Sequence, residues 1–301
     1  MPNERFADRF QPDLAEVLGK NYRACVYIDG RYVRAEEAKI SVFDHGFLYG
    51  DAVFEGIRAY GGKVFKLDEH LDRLYDSAQA LCIKVPLTRH ELSDVIHELL
   101  ELNGLRDAHI RPMVTRGSGR VGVDPRRAVR PTVVVIAAPM APLLGEKPVR
   151  MITSSIRRKP PDCLDSKVKS HNYLESVQAR LQANAAGVDD AILLDHHGFV
   201  AEATGENVFV VKKGRLSTPD TTCALAGVTR TTIIELAGSA GYSVTVKNVT
   251  LQELYTADEV FLTGTAAEVV AVGEIDGRVI GNGHVGPLTA QLMEAYRVLH
   301  G

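Results

Sequence analysis

Residues 165–176 read DSKVKSHNYLES, a segment with two lysines, an Asn-Tyr pair and the start of a helix-like pattern. Three more segments follow it in order, AEATGENVFVV (201–211), ALAGVTR (224–230) and FLTGTAAEV (261–269). Singly, each has an ordinary structural interpretation, because loop lysines are usually solvated and a threonine at a helix start is usually a cap. The information lies in their order and spacing.

Alternating apolar and polar residues predict strands in the first half of the chain. Residues 24–44 and 52–67 each alternate around a D-G or G-G turn, which predicts two β-hairpins. HIRPMVTRG (109–117) and PTVVVIAAP (131–139) predict two further strands.

The second half mixes strands and helices without strict alternation. VRMITSSI (149–156) predicts a strand, and 172–187 an amphipathic helix that ends at Gly187. Residues 190–219 predict a meander of strands. Capping and proline signals predict helix starts at Asp68, Thr88, Thr250 and Pro287. This mixture predicts the α+β class.

The length of 301 residues favours two domains, or one large one. The stretch MAPLLGEKP (140–148) has the proline and glycine content of a linker. We therefore expect an N-terminal extension at 1–23, a small α+β domain at 24–139, a linker at 140–148 and a larger α+β domain at 149–301.

Composition excludes several classes of protein. The chain is 45% hydrophobic and 24% charged, with a net charge of −3, which gives no reason to expect nucleic acid or an anionic membrane as a partner. The N-terminus has no signal-peptide pattern, and no apolar run approaches the roughly 18 residues of a membrane span. The four cysteines are far apart and without zinc-like spacing, so we expect buried free thiols, no metal and a cytoplasmic location.

One motif points in a misleading direction. GSGRVG (117–122) matches the dinucleotide fingerprint G-x-G-x-x-G and follows a predicted strand. The fingerprint needs a helix next, to bring a helix N-terminus to the pyrophosphate, but Pro125 and another predicted strand follow. We interpret it as a glycine-rich loop, and His196-His197 as a solvated turn.

In this order and spacing, the four segments resemble the class IV aminotransferases, the fold-type IV pyridoxal-phosphate (PLP) enzymes. FLYGDAVFEGIR (47–58), EHLDRLYDSA (69–78) and the segment from HIRPMVTRG onward extend the resemblance over nearly the whole chain. It implies the two-domain α+β fold of D-amino-acid aminotransferase, with the site between the domains and PLP as cofactor. It also implies a homodimer, whose partner subunit contributes near His109 or from the loop before residue 52.

The lysine that binds the cofactor is the central assignment. PLP needs an amine to hold its aldehyde as a Schiff base and to move a proton between substrate and cofactor. Lys167 and Lys169 both qualify, because residues two apart in an extended segment share a face. The resemblance favours Lys169, which stands three residues before Asn172, and makes Lys167 a solvated neighbour.

The resemblance also assigns the other contacts of the cofactor. Glu202 keeps the ring nitrogen protonated, and its rival Glu206 shapes the turn. Tyr173 hydrogen-bonds the phenolic oxygen, and Leu225 packs against the ring. An arginine and backbone N–H groups at a helix start suit a phosphate. The residues assigned to that role are Arg73, Val228, Thr229 and Thr265.

Substrate binding is assigned by the same resemblance to Tyr49, Phe54, His109, Arg111, Thr265 and Ala266. Backbone N–H groups of Thr265 and Ala266 are expected to bind the substrate carboxylate. The chain departs from the branched-chain pattern at three positions. His109 replaces a usual Tyr at the carboxylate end of the pocket, Ala203 a usual Gly, and Ala226 a usual Pro.

The motifs stand closest to the branched-chain aminotransferases. We expect a transaminase that moves the amino group of a branched-chain or other apolar L-amino acid to 2-oxoglutarate through a Lys169 Schiff base. Arg116 and Arg120, beside and within the glycine motif at 117–122 (the glycine segment), either admit this acidic co-substrate or face solvent. The alternatives are a D-amino-acid or (R)-amine transaminase, an aminodeoxychorismate lyase, and a PLP-binding protein without turnover.

Overall fold

The computed structural model describes residues 24–139, 143–145 and 147–300. Its first sheet contains β1 (Cys25–Ile28), β2 (Arg31–Arg34), β3 (Ala52–Phe54), β4 (Ile57–Tyr60), β5 (Lys63–Val64), β6 (Ala108–Gly119) and β7 (Ala128–Ala138). These strands pair antiparallel in the order β2-β1-β7-β6-β4-β5, and β3 also pairs with β6. The hairpins β1-β2 and β4-β5 are the two that the sequence predicts.

The helices described beside this sheet are α1 (His45–Tyr49), α2 (Leu67–Ala80) and α3 (Arg89–Leu102). The apolar faces of α2 and α3 share one core with the strands. The capping box of Thr88 and Glu91 is confirmed. The prediction that Asp68 caps α2 is wrong, because α2 follows Lys66 in a left-handed conformation (φ 54°) and Asp68 lies inside its first turn.

The second sheet contains β8 (Val149–Arg157), β9 (Asp190–Leu194), β10 (Val200–Ala203), β11 (Asn207–Lys212), β12 (Arg215–Thr218), β13 (Val244–Val246), β14 (Glu259–Gly264), β15 (Glu268–Ile275) and β16 (Arg278–Val279). Its order is β10-β9-β8-β15-β14-β11-β12-β13, and β16 pairs with β15. The meander prediction is wrong between β10 and β11, because these consecutive strands do not pair with each other. β10 pairs with β9, and β11 pairs with β14, some fifty residues later in the chain.

The helices of the second half are α4 (Leu174–Ala186), α5 (Val228–Ser239), α6 (Leu251–Tyr255) and α7 (Pro287–His300). Gly187 ends α4 in the left-handed conformation (φ 67°), as the sequence predicts. Thr250 and Glu253 form the predicted capping box of α6. The crossover through α4 places β9 parallel to β8.

The segment around Lys169 joins the two halves. The Phe54 N–H donates to the Lys169 carbonyl at 3.0 Å, and the His171 N–H donates to the Ala52 carbonyl at 2.9 Å. On the other side, the Lys169 N–H donates to Oγ of Ser77 on α2 at 3.1 Å. These bonds fix the lysine backbone between β3 and α2.

Each sheet is formed by one half of the chain, but the division into domains stays a prediction. The expected N-terminal extension at 1–23 lies outside the described residues. The expected linker at 140–148 is described only at 143–145 and 147–148.

The glycine segment serves strand packing. Gly117 has φ 94°, and a Cβ there would lie 1.6 Å from the Arg130 carbonyl oxygen on β7. Only glycine allows the two strands to approach so closely. A 3-10 turn (Pro125–Arg127) and then β7 follow, so the prediction that the motif opens no dinucleotide helix is confirmed. The interpretation as a loop is right only for residues 120–122, because residues 117–119 are the end of β6, where Ser118 and Gly119 pair with β7.

The cysteines only partly match expectation. All four are free, but Cys82 and Cys163 are exposed, Cys25 is half-buried and only Cys223 is buried. Within the described ranges, no helix is both long enough and apolar enough to cross a membrane.

Candidate active site

A cavity of about 450 Å³ is lined by both halves of the chain. It brings together every predicted site residue except Tyr49. The predicted residues that line it are Phe54, Arg73, His109, Arg111, Lys169, Tyr173, Glu202, Leu225, Val228, Thr229, Thr265 and Ala266. The rival Glu206 lines it as well, whereas the rival lysine, Lys167, is exposed and outside it.

Lys169 presents its amine inside the cavity. Its Nζ donates to the Tyr173 hydroxyl at 3.1 Å and lies 4.6 Å from the centre of the Phe54 ring. The Phe54 and Tyr173 rings meet edge to face at 5.2 Å. An amine beside a phenol and an aromatic wall is suited to hold a planar carbonyl compound and to exchange a proton with it.

Glu202 supplies a buried carboxylate to the same cavity. Its Oε2 accepts the Leu225 N–H at 3.1 Å, and its Oε1 lies 2.5 Å from Nη2 of Arg158. Burial raises the pKa of the Glu202 carboxyl, and the Arg158 guanidinium opposes that rise. The sequence analysis did not find Arg158, whose only signal is the basic run at 157–159 after a predicted strand.

Glu206 lies in a different electrostatic environment. Burial and the neighbouring Asp190 carboxylate raise the pKa of Glu206, which favours its protonated form. Its Oε2 accepts the Gly205 N–H at 3.0 Å. Since Glu202 has a cation as its neighbour and Glu206 has an anion, Glu202 is the better partner for a positively charged ring nitrogen.

A helix N-terminus and an arginine form another wall. Val228 and Thr229 begin α5 after Gly227, and no side chain of the described residues caps these N–H groups. A Cβ on Gly227 would lie 2.1 Å from Oδ1 of Asn207, so this turn has no room for a side chain. Open N–H groups at a helix start form an anion site.

Arg73 reaches this wall from α2. Its Nη1 donates to the Ala226 carbonyl at 2.7 Å, and its Nε and Nη2 donate to Glu55 at 2.7 and 2.9 Å. Glu55 is fully buried, yet Arg73 and His70 outweigh the effect of burial and lower the pKa of Glu55 to about 2. Glu55 therefore fixes Arg73, a role that sequence analysis missed although the residue stands in the quoted segment 47–58.

The turn between β14 and β15 closes the cavity. Thr265 and Ala266 line it and are half-buried. Nearby, Oγ1 of Thr263 is buried and has no hydrogen-bond partner in the part of the chain that the structure describes. This hydroxyl is therefore able to hydrogen-bond a molecule or an ordered water in the cavity.

His109 and Arg111 lie together on the first-sheet side. Burial first, and then the charge of Arg111, lower the pKa of His109 to about 4, so the ring is neutral at physiological pH. Nη2 of Arg111 lies 3.4 Å from Nε2 of His109. Because a guanidinium only donates, we assign the ring proton to Nδ1, which is buried without a partner among the described residues, as is Nε of Arg111.

Tyr49 does not line the cavity of its own chain, so its assignment to the substrate pocket stays a prediction. Its hydroxyl accepts the Gly122 N–H at 2.6 Å, and its ring meets His45 edge to face at 5.2 Å. Arg116 is also committed elsewhere, because its Nε and Nη2 donate to Asp51 at 2.8 and 3.0 Å.

The donor set of the cavity fits PLP. Lys169 offers an amine for the aldehyde, Tyr173 a hydroxyl for the phenolic oxygen, and Glu202 a carboxylate for the ring nitrogen. The open start of α5 with Arg73 offers N–H groups and a positive charge for the phosphate. Each functional group of the cofactor thus has a complementary group in one cavity.

Residues 52–275 match the family model of amino-transferase class IV. The chain therefore belongs to the class IV aminotransferases, and the predicted family and fold-type IV α+β class are both confirmed.

Proteins that are similar to this chain over nearly its whole length are named branched-chain amino acid aminotransferases. A protein of Methanocaldococcus jannaschii, named provisionally as a branched-chain-amino-acid aminotransferase, is 57% identical over 273 residues, which are 90% of this chain and 95% of that one. A crystal structure of the T.th. branched-chain amino acid aminotransferase, complexed with N-(5'-phosphopyridoxyl)-L-glutamate, has a TM-score of 0.87 and 42% identity, covering 91% of this chain and 93% of that one. The Escherichia coli branched-chain amino acid aminotransferase has a TM-score of 0.90 and 36% identity, covering 92% and 95%.

Proposed function

We propose that this protein is a PLP-dependent transaminase that moves the amino group of a branched-chain or other apolar L-amino acid to 2-oxoglutarate. The observation that carries the proposal is the single cavity in which the Lys169 amine, the Glu202 carboxylate and the open start of α5 meet an apolar wall. The branched-chain names of the relatives support the choice of substrate.

Lys169 is the residue that handles the proton. Bound PLP supplies an electron sink, which depends on a protonated ring nitrogen. Lys169 Nζ would hold the cofactor by its aldehyde and, once the substrate amine has displaced it, would be the free base that takes up and returns the proton of the substrate Cα. The Tyr173 hydroxyl at 3.1 Å orients this amine, and Glu202 keeps a negative charge beside the ring nitrogen.

The substrate binds between the β14–β15 turn and the Phe54 wall. Backbone N–H groups of Thr265 and Ala266 bind the α-carboxylate, and Phe54 packs against an apolar side chain. His109 and Arg111 present donors that need acceptors, so they suit the second carboxylate of 2-oxoglutarate or glutamate. One pocket thereby accepts an apolar and an acidic substrate in turn.

The visible spectrum of the holoenzyme distinguishes this function from its alternatives within the family. L-leucine, D-alanine and (R)-1-phenylethylamine are titrated separately into the purified protein, and the absorption band of the bound cofactor is followed. We expect L-leucine to remove the band at millimolar or lower concentration and the other two amines to leave it unchanged. Loss of the band with D-alanine or the (R)-amine alone would overturn the branched-chain proposal.

We further propose a homodimer in which Tyr49 serves the partner's site. Tyr49 lies outside the cavity of its own chain, and its hydroxyl accepts a hydrogen bond from the Gly122 N–H. Large apolar side chains are exposed on α1 and in the glycine motif at 117–122, where Phe47 is 74% and Val121 63% exposed. Contiguous exposed apolar residues are typical of an interface.

We also propose that the protein works in the cytoplasm. The thiols of Cys82 and Cys163 are exposed and free, which suits a reducing compartment.

Mixing two inactive variants tests the contribution of Tyr49 across subunits. Lys169→Ala lacks the amine, and Tyr49→Ala lacks the tyrosine, so we expect each homodimer to have little activity. In a mixed dimer, one of the two sites has both groups, so unfolding and refolding the variants together is expected to restore up to a quarter of wild-type activity per subunit. Mixing that restores nothing, or a fully active monomer by light scattering, would contradict the proposal.

A further inference from the structure

Four charged side chains form a group in which three are buried and Lys159 is half-buried, and which we call the Arg158 cluster (Arg158, Lys159, Glu175 and Glu202). Nη2 of Arg158 lies 2.5 Å from Oε1 of Glu202, and its Nη1 pairs with Oε1 of Glu175. Lys159 Nζ lies 2.7 Å from the other oxygen of Glu175. The side chains of Arg158, Glu175 and Glu202 are at most 10% exposed. The cluster alternates two negative and two positive charges and is neutral as a whole.

Backbone groups hold the cluster in place. The Arg158 N–H donates to the Leu194 carbonyl at 2.9 Å, and its Nε donates to the Cys223 carbonyl at 3.4 Å. Glu175 lies in the first turn of α4, where the helix dipole stabilises a carboxylate. Lys159 Nζ donates to the Asn172 carbonyl at 2.8 Å, which ties the cluster to the residue before Tyr173.

Arg158 and Glu175 act on Glu202 in opposite directions. The groups that face Glu202 are the Arg158 guanidinium, the Leu225 N–H, the Lys169 amine and the Glu175 carboxylate. Burial raises the pKa of Glu202, Arg158, Leu225 and Lys169 lower it, and Glu175 raises it. Arg158 is therefore the principal reason that a fully buried carboxyl can carry a charge, and Glu175 moderates its effect.

We propose that Arg158 is a positioning residue for transamination, which keeps Glu202 ionised and fixes the direction of its carboxylate before any cofactor binds. The inference rests on the proposed role of Glu202 at the ring nitrogen. A guanidinium does not lose its proton at any pH that the protein tolerates. Since Arg158 bonds Oε1 and the Leu225 N–H bonds Oε2, the carboxylate cannot rotate, and each oxygen keeps a free acceptor site.

Infrared spectroscopy of the full chain, with and without added PLP, tests this inference without turnover. The protonated-carboxyl band of Glu202 is assigned by difference from the same protein with Glu202→Gln, and its pH midpoint gives the pKa of Glu202. We expect Arg158→Met to raise the pKa of Glu202 by at least one unit, which makes it a tenfold weaker acid. We expect the pKa of Glu202 in Arg158→Lys to lie close to the wild-type value, because the positive charge is kept. Glu175→Gln is expected to lower it. Arg157→Met, at the exposed neighbouring arginine, is the matched control and is expected to leave it unchanged.

A purely structural role would move the two charge variants alike, whereas the proposal requires opposite shifts. Unchanged ionisation of Glu202 in Arg158→Met, or shifts of the same sign in Arg158→Met and Glu175→Gln, would overturn it. If Arg158→Met does not fold, Glu175→Gln provides the test. A pKa of Glu202 that is unchanged or higher in Glu175→Gln contradicts the proposal. Opposite shifts in a protein that moves no amino group from L-leucine would refute the proposed function alone.

Discussion

Replacing Lys169 by Ala should abolish transamination. The variant loses the amine that holds the cofactor and also the group that moves the proton, and each of these contributes a large factor to the rate. We expect the rate of amino transfer to fall by at least about 10⁴-fold. Steady-state assays with L-leucine and 2-oxoglutarate measure the rate. Borohydride reduction followed by peptide mapping measures the covalent linkage, which we expect to be lost.

Lys167→Ala is the matched control for this prediction. Lys167 is two residues away, exposed and outside the cavity, so its removal should leave both the rate and the linkage near wild type. Reduced cofactor found on Lys167 in the wild-type protein would show that the assignment of the amine is wrong.

Glu202→Gln is expected to have the second-largest effect. The amide preserves the shape of the side chain but carries no negative charge, so a positive ring nitrogen loses its partner in a buried environment. We expect PLP to bind still, and the single-turnover rate with L-leucine to fall on the order of 10²–10³-fold. Rapid mixing with L-leucine under stopped-flow absorbance measures this rate.

Glu206→Gln serves as the comparison for Glu202→Gln. Glu206 also lines the cavity and is buried, but burial and Asp190 raise its pKa and favour the protonated carboxyl, which an amide resembles closely. We expect a loss of less than about tenfold, as for a neutral hydrogen-bonding group. A Glu202→Gln variant that turns over at the wild-type rate, or a Glu206→Gln variant that loses more, would reverse the two assignments.

Local patterns predicted much of this fold. The capping boxes at Thr88 and Thr250, the hairpins and the end of α4 at Gly187 depend on residues a few positions apart, so the sequence contains their whole signal. The ordered motifs likewise named the residues that line one cavity, from Arg73 in the first half to Thr265 near the end.

Features that depend on distant residues were missed. The pairing of β11 with β14 joins strands about fifty residues apart, and neighbouring sequence says nothing about it. Arg158 acts on Glu202 and Glu55 acts on Arg73. Both pairs form only in the folded chain, so the sequence around Arg158 or Glu55 does not reveal these roles. Tyr49 matched a family segment, but it lies outside the cavity of its own chain, where its hydroxyl accepts the Gly122 N–H.

The transfer of isotopic nitrogen tests the central claim most directly. The purified protein is loaded with PLP and incubated with 15N-labelled L-leucine and 2-oxoglutarate, and the products are identified by mass spectrometry. We predict 15N-glutamate and the 2-oxo acid of leucine in equal amounts, and no product when D-leucine replaces L-leucine. Label that stays in leucine, or that reaches glutamate only from the D-isomer, would contradict the account.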